Sequence, residues 1–431
     1  GGEVSLGGSG CVLLQCLGSR GVINIHLSQL EAGMVLAAPV RHPKVENHVL
    51  LQAGYRIDAE SIERLTRFAV DAVWIRHPGF DYLDRMLPDD IPQRRAQLYT
   101  CVKQSFAGLA SRTAGSFNLA EYRAVVGEMI LSLVANKHSA VWALRLMDAE
   151  DELFAHSANV AYLALVIGMR LKEYVINQRR YVNHADGADL TNLGIGAMLH
   201  DLGKLGMDRL WWTVHSIDEE ADSDEYRGHA ERGYRAVRGH VEATAAQVLL
   251  HHHQRYDGAG FPKVRSGTKE RSARPMKGTN IHVFSRIVAV ANVLDALIGA
   301  ANKRNLPLVR SLAALRRLAA AGNFDPIVVD AALRSVPPFP LGAMVALSDG
   351  RQAVVTGLNE SNPCRPKVQL LVPADADGAE GSACVDLARA GSPTIARIQE
   401  RAVDASCFYR LAPKPPQFAV LVPADEVGAC E

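Results

Sequence analysis

The chain has 431 residues, 48% of them hydrophobic and 22% charged, an ordinary globular composition that excludes a mainly disordered chain and suggests two to four domains. Lys and Arg total 47 against 46 Asp and Glu, so the formal charge is +1 and no overall basic field points to a nucleic-acid polymer or an anionic membrane. Uninterrupted apolar runs are short, so no membrane span is expected. The 7 cysteines are scattered without a CxxC, which reads as a reducing, cytoplasmic setting and not as a disulfide framework or zinc ribbon.

Residues 1–21, rich in Gly, Ser and Leu, read as a flexible extension. Residues 22–85 read as a small α/β accessory domain. Strands are expected near Val22–Ile25, Val35–Val40, Val49–Leu51 and Ala72–Ile75, with a helix capped by Asp58 that turns Leu65 and Phe68 inward. Pro88 and Pro92 mark a break, after which helix-like spacing within 86–147 predicts a helical connector. Pro337, Pro338 and Pro340 mark the next boundary. Beyond it, residues 339–400 read as a small β module, with strands at Ala343–Leu347, Ala353–Leu358 and Val368–Val372 and a hairpin turn at Asp349-Gly350. The Pro-rich tail, 401–431, carries no assigned fold.

The chemistry is concentrated between 148 and 300, inside a helical domain read over 148–336. A helix opening near Asp151 puts Glu152 and His156 at i and i+4 on one face, where they can share a divalent metal or make a plain surface contact. A second apolar helix, with Asp189 as candidate cap, ends in His200-Asp201, a pair able to meet one metal or two, or to be hydrogen-bonded at a helix end. Lys204 follows one turn on and can reach a phosphate oxygen. His229 precedes a helix-like stretch, Ala230–Val237. A helix from Glu242 brings His251, His252 and His253 to its C-terminal end, and a turn from Asp257 and Gly258 through Gly260, Phe261 and Pro262 follows. Asn292 and Asp295 stand alone on an apolar helix, and Asn292 must face a polar site or make a local contact.

The ordered set His156, His200-Asp201, His229, His252-His253, Asp257 to Pro262 and Asn292 resembles the HD-GYP branch of the HD metal-dependent phosphohydrolases, over roughly residues 145–335. The resemblance implies an all-α helical catalytic domain within a multidomain chain. It implies two or three divalent metals, iron or manganese, and hydrolysis of cyclic di-GMP to pGpG or GMP by metal-activated water. By position, His156, His200, Asp201, His229, His252, His253 and Asn292 match metal ligands, and Glu152 matches an extra carboxylate of the three-metal subgroup. Asp201 and Lys204 match catalytic positions. Lys204, Asp257, Gly258 and, as substitutes, Lys303 and Arg304 match substrate contacts. The loop Gly260, Phe261, Pro262 matches the signature through which such domains meet signalling partners, and a homodimer is one expectation. Alternatives are a catalytically degenerate nucleotide sensor or interaction module, and an HD hydrolase of another phosphorylated substrate.

The sequence departs from that pattern at named places. Asn292 stands for an aspartate, Gln254 for a glutamate and Phe261 for the signature tyrosine. Ile298–Arg304 fits the basic Arg-Pro-Tyr-Arg-like stretch poorly. Trp211-Trp212 and the acidic run Asp218–Asp222 fall between Lys204 and His229.

Overall fold

The computed structural model describes residues 21–42, 48–68, 70, 72–77, 79–80, 83, 91–110, 118–135, 152–179, 182–215, 223–265, 273–274, 276–371 and 383–413. The extension before residue 21, the connector segment 136–147, the acidic run and the tail beyond 413 lie outside them. Chain contacts divide the protein into two units. One joins the described residues before 88 to Phe339–Ser406; the other runs from Pro88 to Pro338 and takes in the described residues from Cys407 on.

The first unit opens with β1 (Val22–His26), β2 (Val40–Arg41), β3 (Val49–Leu51), α1 (Ala59–Arg67) and β4 (Ala72–Arg76). β1 pairs antiparallel with β4, and β2 with β3. Asp58 caps α1 as expected, accepting from Ser61 N at 2.7 Å, and Leu65 is fully buried. The strand expected over Val35–Val40 shrinks to isolated bridges at Val35 and Leu36, with only Val40 in β2. Pro39, which has no N–H to give a ladder, interrupts it.

The second unit is helical. It comprises α2 (Ile91–Ala110), α3 (Leu119–Ala135), α4 (Glu152–Arg170), α5 (Lys172–Gln178), α6 (His184–Ala188), α7 (Thr191–Leu199), α8 (Asp224–Val237), α9 (Ala243–His251), a two-strand ribbon β5 (Val264–Arg265) and β6 (Ala273–Arg274), α10 (Val283–Lys303), α11 (Leu308–Ala320) and α12 (Pro326–Ser335). α4 and α10 are long and apolar enough to cross a membrane by length and composition, which short-run inspection of the sequence did not show. Their apolar windows are 89% and 83% buried, so both serve here as core helices. They pack on each other, and α4 also packs on α7, which leans on α9. Two local expectations shift. Asp189 accepts from Thr191 N at 2.8 Å but sits one residue before the cap position, Leu190. His229 lies inside α8, because Ser223 caps that helix by accepting from Tyr226 N.

The first unit resumes with β7 (Met344–Leu347), β8 (Gln352–Gly357), β9 (Lys367–Leu370), β10 (Cys384–Asp386), β11 (Ile395–Ile398) and β12 (Arg401–Ala402). They form one antiparallel sheet in the order β10-β9-β8-β7-β11-β12. Asp349-Gly350 makes the expected turn, Gly350 taking φ +89. Asn24 N donates to Gly342 O at 2.8 Å, so the N-terminal and C-terminal segments share backbone bonds within this unit. The architecture is therefore the multidomain one expected: a helical domain, a small α/β region and a small β sheet. Cys101, Cys364 and Cys407 are free and buried. Cys384 is disulfide-bonded, against the reducing setting expected from the scattered cysteines.

Candidate metal centre

Five chain segments bring polar side chains to one point of the apolar helical core. α4 contributes His156, the end of α7 His200 and Asp201, α8 His229, the end of α9 His252 and His253, and α10 Asn292. None of these side chains is more than 7% exposed. Their ligand atoms form two groups, each within 4.8 Å: Asp201, His229, His252 and His253, and His156, His200 and Asp201. Asp201 belongs to both. Its Oδ1 lies 3.3 Å from His229 Nε2 and 3.8 Å from His252 Nε2, and its Oδ2 lies 3.5 Å from His200 Nε2 and 3.7 Å from His156 Nε2.

Helix geometry aims the rings. His200 Nδ1 donates to Ala197 O at 2.8 Å, His252 Nδ1 to Leu249 O at 2.9 Å, and His229 Nδ1 to Tyr226 O. Each acceptor is the carbonyl three residues earlier. With Nδ1–H spent on the backbone, the neutral ring turns its Nε2 lone pair inward. His156 is held differently: its Nδ1 lies 2.6 Å from Asp295 Oδ2 and its Nε2 3.0 Å from Asn292 Oδ1. Asp295 is in turn hydrogen-bonded by Asn159, whose Oδ1 accepts from Arg95 of α2 at 3.0 Å.

Burial drives the imidazoles far below the usual 6.5, His156 to about 4 and His200, His229 and His252 to about 3, so they are neutral donors at pH 7. Burial would raise Asp201, but Lys204 and the surrounding imidazoles outweigh it and hold the carboxyl well below its ordinary value. Burial raises Asp295 to about 7.

These residues fit divalent cations. His200 Nε2 and Asp201 Oδ1 are buried without a hydrogen-bond partner, a costly arrangement for polar atoms aimed at a common point. His229 Nε2 lies 3.2 Å from His252 Nε2 and 3.1 Å from His253 Nε2. Lone pairs so close repel unless a cation lies between them. Neutral imidazoles with a shared carboxylate are a donor set for transition metals.

Close backbone contact holds the pieces together. A Cβ on Gly203 would fall 1.9 Å from His229 O, so only glycine lets the turn after Asp201 meet α8. In the signature loop, Gly258 takes φ +89, and a Cβ on Gly260 would fall 2.3 Å from Arg255 N. Phe261 precedes Pro262 in a cis peptide and stacks on His253 at 4.5 Å with ring planes 17° apart. Gln254, where a glutamate was expected, donates to Pro262 O at 2.6 Å and ties the loop to α9.

Other candidates stand apart. Glu152 starts α4 and is exposed; Lys303 pairs with it at 3.4 Å, so neither side chain joins the buried histidines, against the expectation that Glu152 and His156 converge. Arg304 is exposed at the end of α10. Asp257 turns to Arg255 and accepts from Ala259 N at 2.8 Å, making it a loop-forming residue. Lys204 is 1% exposed, its Nζ 2.8 Å from both Asp201 Oδ2 and Val214 O. Sequence reasoning missed the anchors. Asp295 was visible as a lone acid on an apolar helix, three residues from Asn292. His215, whose ring lies 4.6 Å from that of His156, had no periodic signal in its loop.

A family model for the HD domain matches residues 176–328, and one for a KOW domain associated with the HD domain matches residues 344–403. The first span carries His200-Asp201, His229, His252-His253, the Asp257–Pro262 loop and Asn292. Residues 176–328 of the chain therefore form an HD domain. A Pseudomonas aeruginosa protein named as a cyclic di-GMP phosphodiesterase is 24% identical to this protein over 79% of this chain and 83% of its own length. A cyclic di-GMP phosphodiesterase response regulator from Xanthomonas campestris is 31% identical over 32% of this chain, and a cyclic di-GMP phosphodiesterase from Thermotoga maritima 30% over 34%. The matches span 35% and 37% of those two relatives. Among solved structures, an HDG"Y"P protein from Bdellovibrio bacteriovorus aligns with TM-score 0.41 and 15% identity, over 72% of this chain and 98% of its own.

Proposed function

We propose that this protein is an HD-GYP metal-dependent phosphodiesterase that hydrolyses cyclic di-GMP to pGpG, GMP or both. The observation that carries the proposal is the pair of donor groups sharing Asp201, which suits two adjacent cations. The naming of relatives as cyclic di-GMP phosphodiesterases supports the substrate. His229, His252 and His253 would hold one ion and His156, His200 and the Asn292 amide oxygen the other, with Asp201 common to both. Iron or manganese suits this mixture of imidazole and carboxylate. When bound, two such ions supply a nucleophile from water near neutral pH and offset phosphate charge.

The chain's own residues do the rest. The carbonyls of Ala197, Tyr226 and Leu249 keep the imidazoles in the donor tautomer, and the apolar walls of α4 and α10 exclude bulk water. Lys204, buried beside Asp201, places a cation where a phosphate oxygen would lie, once its bond to Val214 O is exchanged. The test is turnover of cyclic di-GMP by purified protein loaded with iron or manganese. Turnover should disappear when His200 and Asp201 are both replaced by Ala; unchanged turnover would reject the proposal. Asn292, a neutral donor where a carboxylate was expected, favours a second reading, a nucleotide sensor. Stable binding without turnover in either metal would select it.

A further inference from the structure

The nucleotide-holding chemistry expected at the end of α10 is missing: Ile298–Arg304 lacks the aromatic and arginine pattern, and Lys303 is committed to Glu152. The same chemistry occurs elsewhere around the centre. A short 3-10 turn, Arg209–Trp212, follows Lys204 and presents an exposed guanidinium and two half-buried indoles in sequence. Trp212 Nε1 donates to Lys204 O at 3.0 Å, and its ring meets Phe154, two residues before His156, at 5.9 Å. Arg209 lies over the Trp212 ring at 5.1 Å. Trp211 meets Tyr226, whose carbonyl anchors His229, at 6.3 Å. Each indole therefore touches a helix that carries a cluster histidine, and the Trp212 indole is also tied to the main chain of the buried lysine. Leu210 at the tip is 77% exposed.

We propose that Arg209, Trp211 and Trp212 form a purine-recognition edge of the phosphodiesterase site, the indoles stacking on a base of the substrate and the guanidinium meeting nucleotide negative charge. This rests on the reading of the protein as a nucleotide phosphodiesterase. Indole faces suit a purine because stacking needs only a flat π surface. Half-buried indoles, Trp212 held by Lys204 O and Phe154 and Trp211 set against Tyr226, lose little freedom when a base lands on them. The position fits an edge: none of the three residues has a side chain in the histidine cluster, yet Trp212 reaches it through Lys204 and Trp211 through Tyr226, with Arg209 lying on Trp212.

The test uses the full chain and reads binding apart from chemistry. Removing one stacking ring should weaken nucleotide affinity by about tenfold. In steady-state assays with cyclic di-GMP, Trp211→Ala should raise KM about tenfold, leave kcat within about twofold and leave metal content unchanged. Trp211→Phe, which keeps a flat ring, should recover most of that loss. A KM that stays unchanged in both Trp211→Ala and Trp212→Ala overturns the proposal, as does a loss confined to kcat. A second measurement stands if cyclic di-GMP is neither bound nor turned over, when it is the functional reading that fails. Quenching of tryptophan fluorescence is titrated with GMP and with ribose 5-phosphate, which lacks the base. Tighter binding of GMP, lost in Trp211→Ala, supports the edge; equal affinity for both probes overturns it.

Discussion

The two halves of the histidine cluster are built in different ways. On one side, His229 and His252 point their Nδ1 atoms at carbonyls of their own helices, Tyr226 O and Leu249 O, and His253 is pinned by the stacked ring of Phe261. On the other, His200 keeps a backbone anchor but His156 relies on side chains, Asp295 at Nδ1 and Asn292 at Nε2. A backbone acceptor comes with the helix and survives substitution. A side-chain acceptor is set residue by residue, and the departure that touches a donor position, Asn292, falls on that side. Asp201 joins the halves, so metal retention should divide into a shared dependence and a separate one.

The largest expected effect removes the joint. Asp201→Ala should cost both groups their metal, with affinity falling by more than the 10–100-fold typical of losing an outer partner; elemental analysis of the folded variant checks this. Loss at one group only would mean that Asp201 is not shared.

Acid is next. The unfolded chain takes up protons near the ordinary histidine value of 6.5, while His156 resists until about 4 and His200, His229 and His252 until about 3. The unfolded state therefore binds more protons in that window. Stability of metal-free protein should be full above about 6.5 and fall as pH drops through it, by about 1.4 kcal/mol per pH unit for each proton. Asp295, raised to about 7 from 3.8, acts in the opposite sense between those values, but it is one carboxyl against four imidazoles. Thermal unfolding from pH 7.5 to 4.5 reads the sign; a flat profile would show that the rings are not buried together.

Two smaller effects separate the halves. Asp295→Asn should lower metal affinity about 10–100-fold on the His156 side alone, leaving the His229 side occupied. One metal retained per chain at limiting metal is the expected result, and loss of both would contradict the division. Asn292→Asp should raise retention on the His156 side by adding charge at a donor position; unchanged metal content in a folded variant would move Asn292 out of the donor set.

Much of this was legible beforehand because helix periodicity and metal-ligand residue types survive without coordinates. His156, His200-Asp201 and His252-His253 could each be placed on a helix or its end and His229 just ahead of one, and the structure brings them together. What could not be read depends on contacts distant in sequence. Asp295 and His156 are 139 residues apart, and nothing local marks them as partners. Glu152 looked right by its i, i+4 spacing, yet it is the first residue of α4 and finds Lys303, 151 residues on. The pairing of the two terminal segments in one unit rests on backbone bonds such as Asn24 N to Gly342 O, which side-chain patterning does not encode. Pro39 did give a warning: it argued against a strand continuous through residue 40.

The most direct test of the shared centre is anomalous scattering from crystals of protein grown with manganese or iron. Two peaks are expected, one among Asp201, His229, His252 and His253 and one among His156, His200 and Asp201, with Asp201 touching both. Peaks elsewhere, or full metal loading with those histidines and Asp201 making no contact to it, would contradict the centre described here.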